Sequence, residues 1–225
     1  MRRKVIGILA VALGLGLAPA AMAADMPVKA PALIQPIPYN WTGFYIGADI
    51  GGGWGTHDRS VVPPGFVNSY NSSGLIGGIH AGYNWQMQSI VLGLETDINW
   101  TSIKGDDGGV GGTTDETKVK WLGSTVARAG FAWDRFLVFA AGGWAYGGLD
   151  HNNAGPPVQT FSSTRSGWTV GGGAEYAFNA NWIARVQYRY YDLGTYQNLA
   201  PTNGVLPYQV KNKLSTVTAG ISYKF

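Results

Sequence analysis

Eight stretches of the chain alternate between apolar and small or polar residues with a period of two. They are Gly43–Trp54, Gly74–Trp85, Ile90–Thr101, Val119–Trp133, Phe136–Asp150, Arg165–Phe178, Trp182–Tyr191 and Lys213–Phe225. That period marks strands whose two faces meet different surroundings. Runs of ten to fifteen residues are long against the ~5–6 usual in soluble proteins. The connections alternate in length as well. QMQS (86–89), DR (134–135) and NAN (179–181) are short, whereas 55–73, 102–118, 151–164 and 192–212 are long and rich in Gly, Asn, Ser, Thr and Pro. Short and long connections on opposite ends predict an all-β fold, an eight-stranded antiparallel up-and-down transmembrane β-barrel.

Alternation alone leaves open which face is inside. A soluble lipocalin-like barrel turns its apolar face inward around a ligand. Here the largest rings of the apolar face gather at the strand ends. Trp85, Trp133 and Trp182 fall toward the short connections, with Phe44, Tyr83, Phe131, Phe136, Tyr176, Phe178, Tyr223 and Phe225. Trp54, Trp100, Trp121, Trp144 and Trp168 fall toward the long ones, with Tyr146, Tyr188 and Tyr190. Two aromatic girdles around an aliphatic band predict a lipid-facing exterior with two water interfaces. The other face is mostly Gly, Ala and Ser with a few charges, as suits a lumen only wide enough for side chains.

The N-terminus reads as a targeting segment. Arg2, Arg3 and Lys4 precede an apolar run from Val5 to Ala18, and Ala21–Ala23 spells a small-residue cleavage site. Residues 1–23 are therefore expected to be a signal peptide, cleaved after Ala23 or Ala24. The run is shorter than the ~18–20 residues needed to span a bilayer. Residues 24–39, with Pro27, Pro31, Pro36 and Pro38, predict an extended linker, and 40–225 the barrel. The whole chain has 16 Lys and Arg against 13 Asp and Glu. Without Arg2, Arg3 and Lys4 the count is 13 against 13, which removes the electrostatic support for nucleic-acid binding. The absence of cysteine excludes a thiolate nucleophile and a Cys-ligated metal.

YNWTGFYIGADIGGGWG (39–55), GGIHAGYNWQ (77–86), LGLETDINW (92–100) and the terminal AGISYKF resemble the small outer-membrane β-barrel proteins of alphaproteobacteria, the Brucella- and Rhizobium-type major outer-membrane immunogenic proteins of the porin family. The resemblance implies a Gram-negative outer-membrane barrel that supports the envelope and displays surface antigen. It implies outer-membrane lipids and lipopolysaccharide as surroundings, both termini in the periplasm, and a C-terminal signal, Ile221, Tyr223 and Phe225, read by the insertion machinery. A narrow porin-like pore and a loop-mediated receptor or adhesin are the alternatives. Some members are reported to bind haem. No haem motif is present; His57 and His151 are expected in loops and His80 on a strand.

Asp49, His80, Glu95, Asp97, Arg128, Glu175, Arg185 and Arg189 all fall on the inward parity. Buried charges are costly unless paired, so these eight are expected to form a polar network that plugs the lumen. An anion path along the arginines is the other reading. His80 with Asp49 and Glu95 suggests a hydrolase set, but no serine is expected beside them. KGDDGG (104–109) lacks the acid spacing of a calcium loop. No catalytic, cofactor or metal site is expected. If Trp85 lies opposite Ile90, His80 faces Glu95; if Phe178 lies opposite Trp182, Glu175 faces Arg185 on the lumen side.

Overall fold

The computed structural model describes residues 38–61, 67–106, 115–153, 159–198 and 208–225. The expected signal peptide lies outside the described residues, as does the expected linker up to residue 37. Among the described residues nine strands follow one another: β1 (Gly43–Val61), β2 (Val67–Met87), β3 (Ile90–Thr101), β4 (Lys104–Asp106), β5 (Asp115–Trp133), β6 (Phe136–Asn153), β7 (Gln159–Ala177), β8 (Trp182–Asn198) and β9 (Tyr208–Lys224). β4 is a three-residue continuation of β3, so the wall has eight staves. Every pairing is antiparallel. β1 pairs with both β2 and β9, which closes the sheet into a barrel.

The girdle tryptophans lie on the outer wall. Trp54, Trp85, Trp100, Trp133, Trp144, Trp168 and Trp182 are exposed, and Trp121 is half-buried where its ring lies over Gly148. Phe44 and Trp54 bracket the band on β1, ten residues apart. At ~3.3 Å per residue and a tilt of ~40°, that spacing spans about 25 Å, the height of an outer-membrane barrel's apolar band.

The strands outrun their expected ends. The β1–β2 ladder continues to Ser60↔Val67, β6–β7 to Asn153↔Gln159 and β8–β9 to Asn198↔Tyr208. Much of 55–73, 102–118, 151–164 and 192–212 is therefore strand, and His57 and His151 sit on strands, not in loops. These extensions are built from polar residues on both faces, so their pairing leaves no apolar period to read. Between β7 and β8 the ladder stops at Trp168↔Asp192.

At the other end the β2–β3 turn is tighter than expected. β2 and β3 are joined by Gln88 and Ser89 alone, with Gln88 in the left-handed region at φ 56°. Met87, not Trp85, lies opposite Ile90, so His80 lies opposite Asp97 and Glu95 opposite Gly82. The β5–β6 turn, Asp134–Arg135, likewise opens on a left-handed residue, Asp134 at φ 50°.

Inside, the lumen is layered. At the short-turn end Trp41, fully buried, packs with Val91, Ala132, Leu137, Ala177 and Ile183. At the long-loop end a second apolar layer forms from Ile76, Ile103, Leu122, Leu149, Leu193 and Leu214, among others. Ile103 enters it where the chain bends inward between β3 and β4. Gly74 permits that bend: a Cβ there would lie 2.7 Å from the Ile103 Cα. The inward face thus carries large aliphatics as well as small residues and charges. An apolar layer lies toward each end of the lumen, with the charges between them.

Candidate functional site

Between the two apolar layers lies a polar core that unites all eight inward residues singled out from sequence. Glu95 is its centre. Its Oε2 accepts from Arg128 Nη1 and Arg185 Nη1, each at 3.0 Å, and from the Tyr45 hydroxyl at 2.8 Å. Its Oε1 accepts from Arg185 Nη2 at 3.0 Å and Arg189 Nη2 at 3.1 Å. Arg128 also pairs with Glu175 at 2.8 Å and lies over the Phe139 ring, 4.0 Å from its centre. Arg189 pairs with Asp97 and donates to Ser124. Asn99 donates to Asp97 at 2.8 Å. Strand alternation brings these groups together: β1, β2, β3, β5, β7 and β8 each turn one or two charges inward, and arginine arms span the narrow tube.

Glu175 and Arg185 do lie opposite each other on the lumen side, as the β7–β8 register demanded. They are not each other's main partners. Arg185 grips Glu95 from β3 through two nitrogens, and Glu175 is held by Arg128 from β5. Register fixes neighbours along the wall, whereas long side chains choose partners across the bore.

A second branch runs toward the short-turn end. His80 Nδ1 lies 2.6 Å from Asp49 Oδ2, and its Nε2 lies 2.7 Å from Ser222 Oγ. The serine missing from the sequence reading is thus present, contributed by β9. The imidazole reaches it by crossing β1 over Gly47, where a Cβ would stand 2.5 Å from Nε2. Acid, imidazole and hydroxyl follow the order of a serine-hydrolase triad. The surroundings differ from one. His80 and Ser222 are each 2% exposed, and Ser222 is paired in the sheet on both sides, to Gly47 and Ile183. Ladder pairing engages the neighbouring backbone N–H groups that an oxyanion hole requires. Among the described residues there is no cluster of His, Cys, Asp or Glu suited to a metal ion.

The segment before β1 stoppers the short-turn end. The Trp41 indole donates to the Asp134 carbonyl at 3.0 Å, and its backbone N–H to Gln86 Oε1 at 2.7 Å. Tyr39 N–H donates to Asp134 Oδ1 at 2.8 Å. The left-handed turn at Asp134 presents both of its acceptors to this segment. Tyr39 also donates its hydroxyl to the Ala180 carbonyl at 3.2 Å. Burial, with the Glu175 carboxylate, pushes that phenol up to about 12, so the donor keeps its proton. At the long-loop end His57, fully buried, lies between Asn212 Oδ1 at 2.7 Å and Ser72 Oγ at 3.0 Å.

Sequence reasoning did not single out Trp41, Tyr45, Ser124, Gln187 or Ser222 as members of the polar core or its seal, although alternation puts Tyr45, Gln187 and Ser222 on the inward face, where they are buried. Four of them share the inward parity of their charged neighbours, which is the signal that could have found them. Trp41 precedes the first strand and has no parity to read.

Comparison with known proteins places these features in context. Residues 8–225 match the family model described as outer membrane protein beta-barrel domain. The chain is 38% identical to the 31 kDa outer-membrane immunogenic protein of Brucella melitensis, over 92% of this chain and 95% of that one. It is 34% identical to a 22 kDa outer membrane protein of Rhizobium leguminosarum, over 68% of this chain and 64% of that one. Among solved structures, the outer membrane protein OprG from Pseudomonas aeruginosa superposes with a TM-score of 0.58 at 15% identity, covering 83% of this chain and 98% of that one. That likeness is one of fold.

Proposed function

The chain belongs to the outer membrane protein beta-barrel family, and from that premise we propose that it is a sealed structural barrel of the outer membrane, which stabilises the envelope and presents its long connections as surface antigen. One observation carries this reading: the lumen is filled along its length, by Trp41 and its neighbours at one mouth, the Glu95-centred ion pairs in the middle, and the Ile103 layer at the other mouth. Seven charges of both signs in a confined, low-dielectric space pair with one another and leave no path for an ion. The refolded mature barrel is expected to show no steady conductance in planar bilayers. Large, long-lived openings would favour the porin reading instead. The chain is not an enzyme on this reading, since the serines next to an imidazole among the described residues, Ser222 beside His80 and Ser72 beside His57, are both buried and paired in the sheet.

The short-turn end, with both termini, faces the periplasm in this arrangement, because outer-membrane barrels keep their short turns on that side. Lipid and lipopolysaccharide surround the exposed band, and the insertion machinery reads the last strand. Phe225 suits that role. It is exposed, its N–H donates to the Phe44 carbonyl at 2.9 Å, and its ring packs edge-on to Tyr223. Deleting Phe225 should therefore lower outer-membrane yield in cells far more than refolding yield in detergent. Equal losses in both would reduce its role to packing.

A further inference from the structure

Beside the ion pairs lies a cavity of about 10 Å³, room for the centre of one water molecule, lined by Asp49, Glu95, Asp97, Arg185, Gln187 and Thr218 among others. Two atoms of its lining residues have no hydrogen-bond partner although both are buried: Asp49 Oδ1 and Arg185 Nε. Arg185 is 2% exposed, and the Asp49 side chain 8%. The two atoms are 3.7 Å apart, too far for a hydrogen bond. A buried donor and a buried acceptor left unmade are each expensive.

We propose that this cavity holds one resident water, which accepts from Arg185 Nε and donates to Asp49 Oδ1. A molecule offset from the line between them can lie about 2.9 Å from both. The lining selects the ligand. A cation meets the Arg185 guanidinium, and an anion meets the carboxylates of Asp49, Glu95 and Asp97. A neutral molecule of water size that both donates and accepts satisfies each. This water joins the Asp49–His80–Ser222 branch to the Glu95 centre, so the polar core is continuous from β9 to β3. The inference concerns the interior alone and stands whether or not the barrel conducts.

A crystal structure of the refolded mature chain, at a resolution that orders internal waters, tests it. The expected result is one density peak within hydrogen-bonding distance of both Asp49 Oδ1 and Arg185 Nε. An empty cavity overturns the proposal. So does a peak that rubidium replaces with an anomalous signal, which would make the occupant a monovalent cation. Urea unfolding supplies a second reading. Thr218→Leu fills the cavity and expels the water, so its midpoint should fall, while Thr218→Val, close to isosteric, should leave the midpoint in place. A dry cavity would give a raised midpoint for the leucine variant, and equal falls in both variants would assign the loss to the threonine itself; either result overturns the proposal.

Discussion

Replacing Glu95 by Gln is expected to destabilise the barrel by about 3–5 kcal/mol, the typical result of breaking a buried ion pair from one side. Glu95 accepts five hydrogen bonds, four of them from the guanidiniums of Arg128, Arg185 and Arg189. All four side chains are almost wholly buried, so solvent does not screen the loss. The amide keeps the shape of the carboxylate but turns an N–H toward cations that can only donate. Three guanidiniums then share Asp49, Asp97 and Glu175 at the far ends of their reach. Urea titration of the refolded protein, followed by heat-modifiable gel mobility, measures the effect. A midpoint within experimental error of the parent would show that the ion pairs fill the lumen without supporting it.

Trp41→Ala is expected to cost a similar amount, about 3–5 kcal/mol, from the cavity left by a buried indole. The hydrogen bond from its ring to the Asp134 carbonyl is lost as well. The variant should still not conduct, because the apolar layer around Ile103, Leu122 and Leu214 closes the other mouth. Two seals in series make stability and tightness separable. The same unfolding assay, paired with planar-bilayer recordings, distinguishes them. Steady openings from Trp41→Ala alone would mean that the loop-end layer does not close the tube.

The wall of this barrel was legible in its sequence. Ile90–Thr101 is a strand with the ends read from alternation, and Phe136 and Trp182 start their strands where the girdle rings predicted. A slip of one residue would have inverted every face, yet all eight ionisable residues singled out point inward and the girdle tryptophans outward. Two things were not legible, for different reasons. The β2–β3 turn was misread because its left-handed residue is Gln88, a type that gives no turn signal, where Gly or Asn would have declared it. The partners within the ion-pair network were not legible because alternation reports which side of the wall a residue occupies and says nothing about reach. Arg185 passes over its neighbour Glu175 to a carboxylate ninety positions earlier in the chain. Likewise, Ser222 meets His80 only because β9 closes on β1, a contact visible once the ends of the sheet have met.

Trp41 stands near the amino end of the described chain, but its socket is made by Val91 of β3, Ala132 of β5, Leu137 of β6, Ala177 of β7 and Ile183 of β8. The socket cannot exist until that much of the sheet has assembled. A residue that lies ahead of the first strand is thus among the last to find its seat, like a latch that engages only when the lid is down. A sheet stalled before closure leaves the indole in solvent or lipid, so its fluorescence marks completion of each molecule, separately from the gain of strand structure.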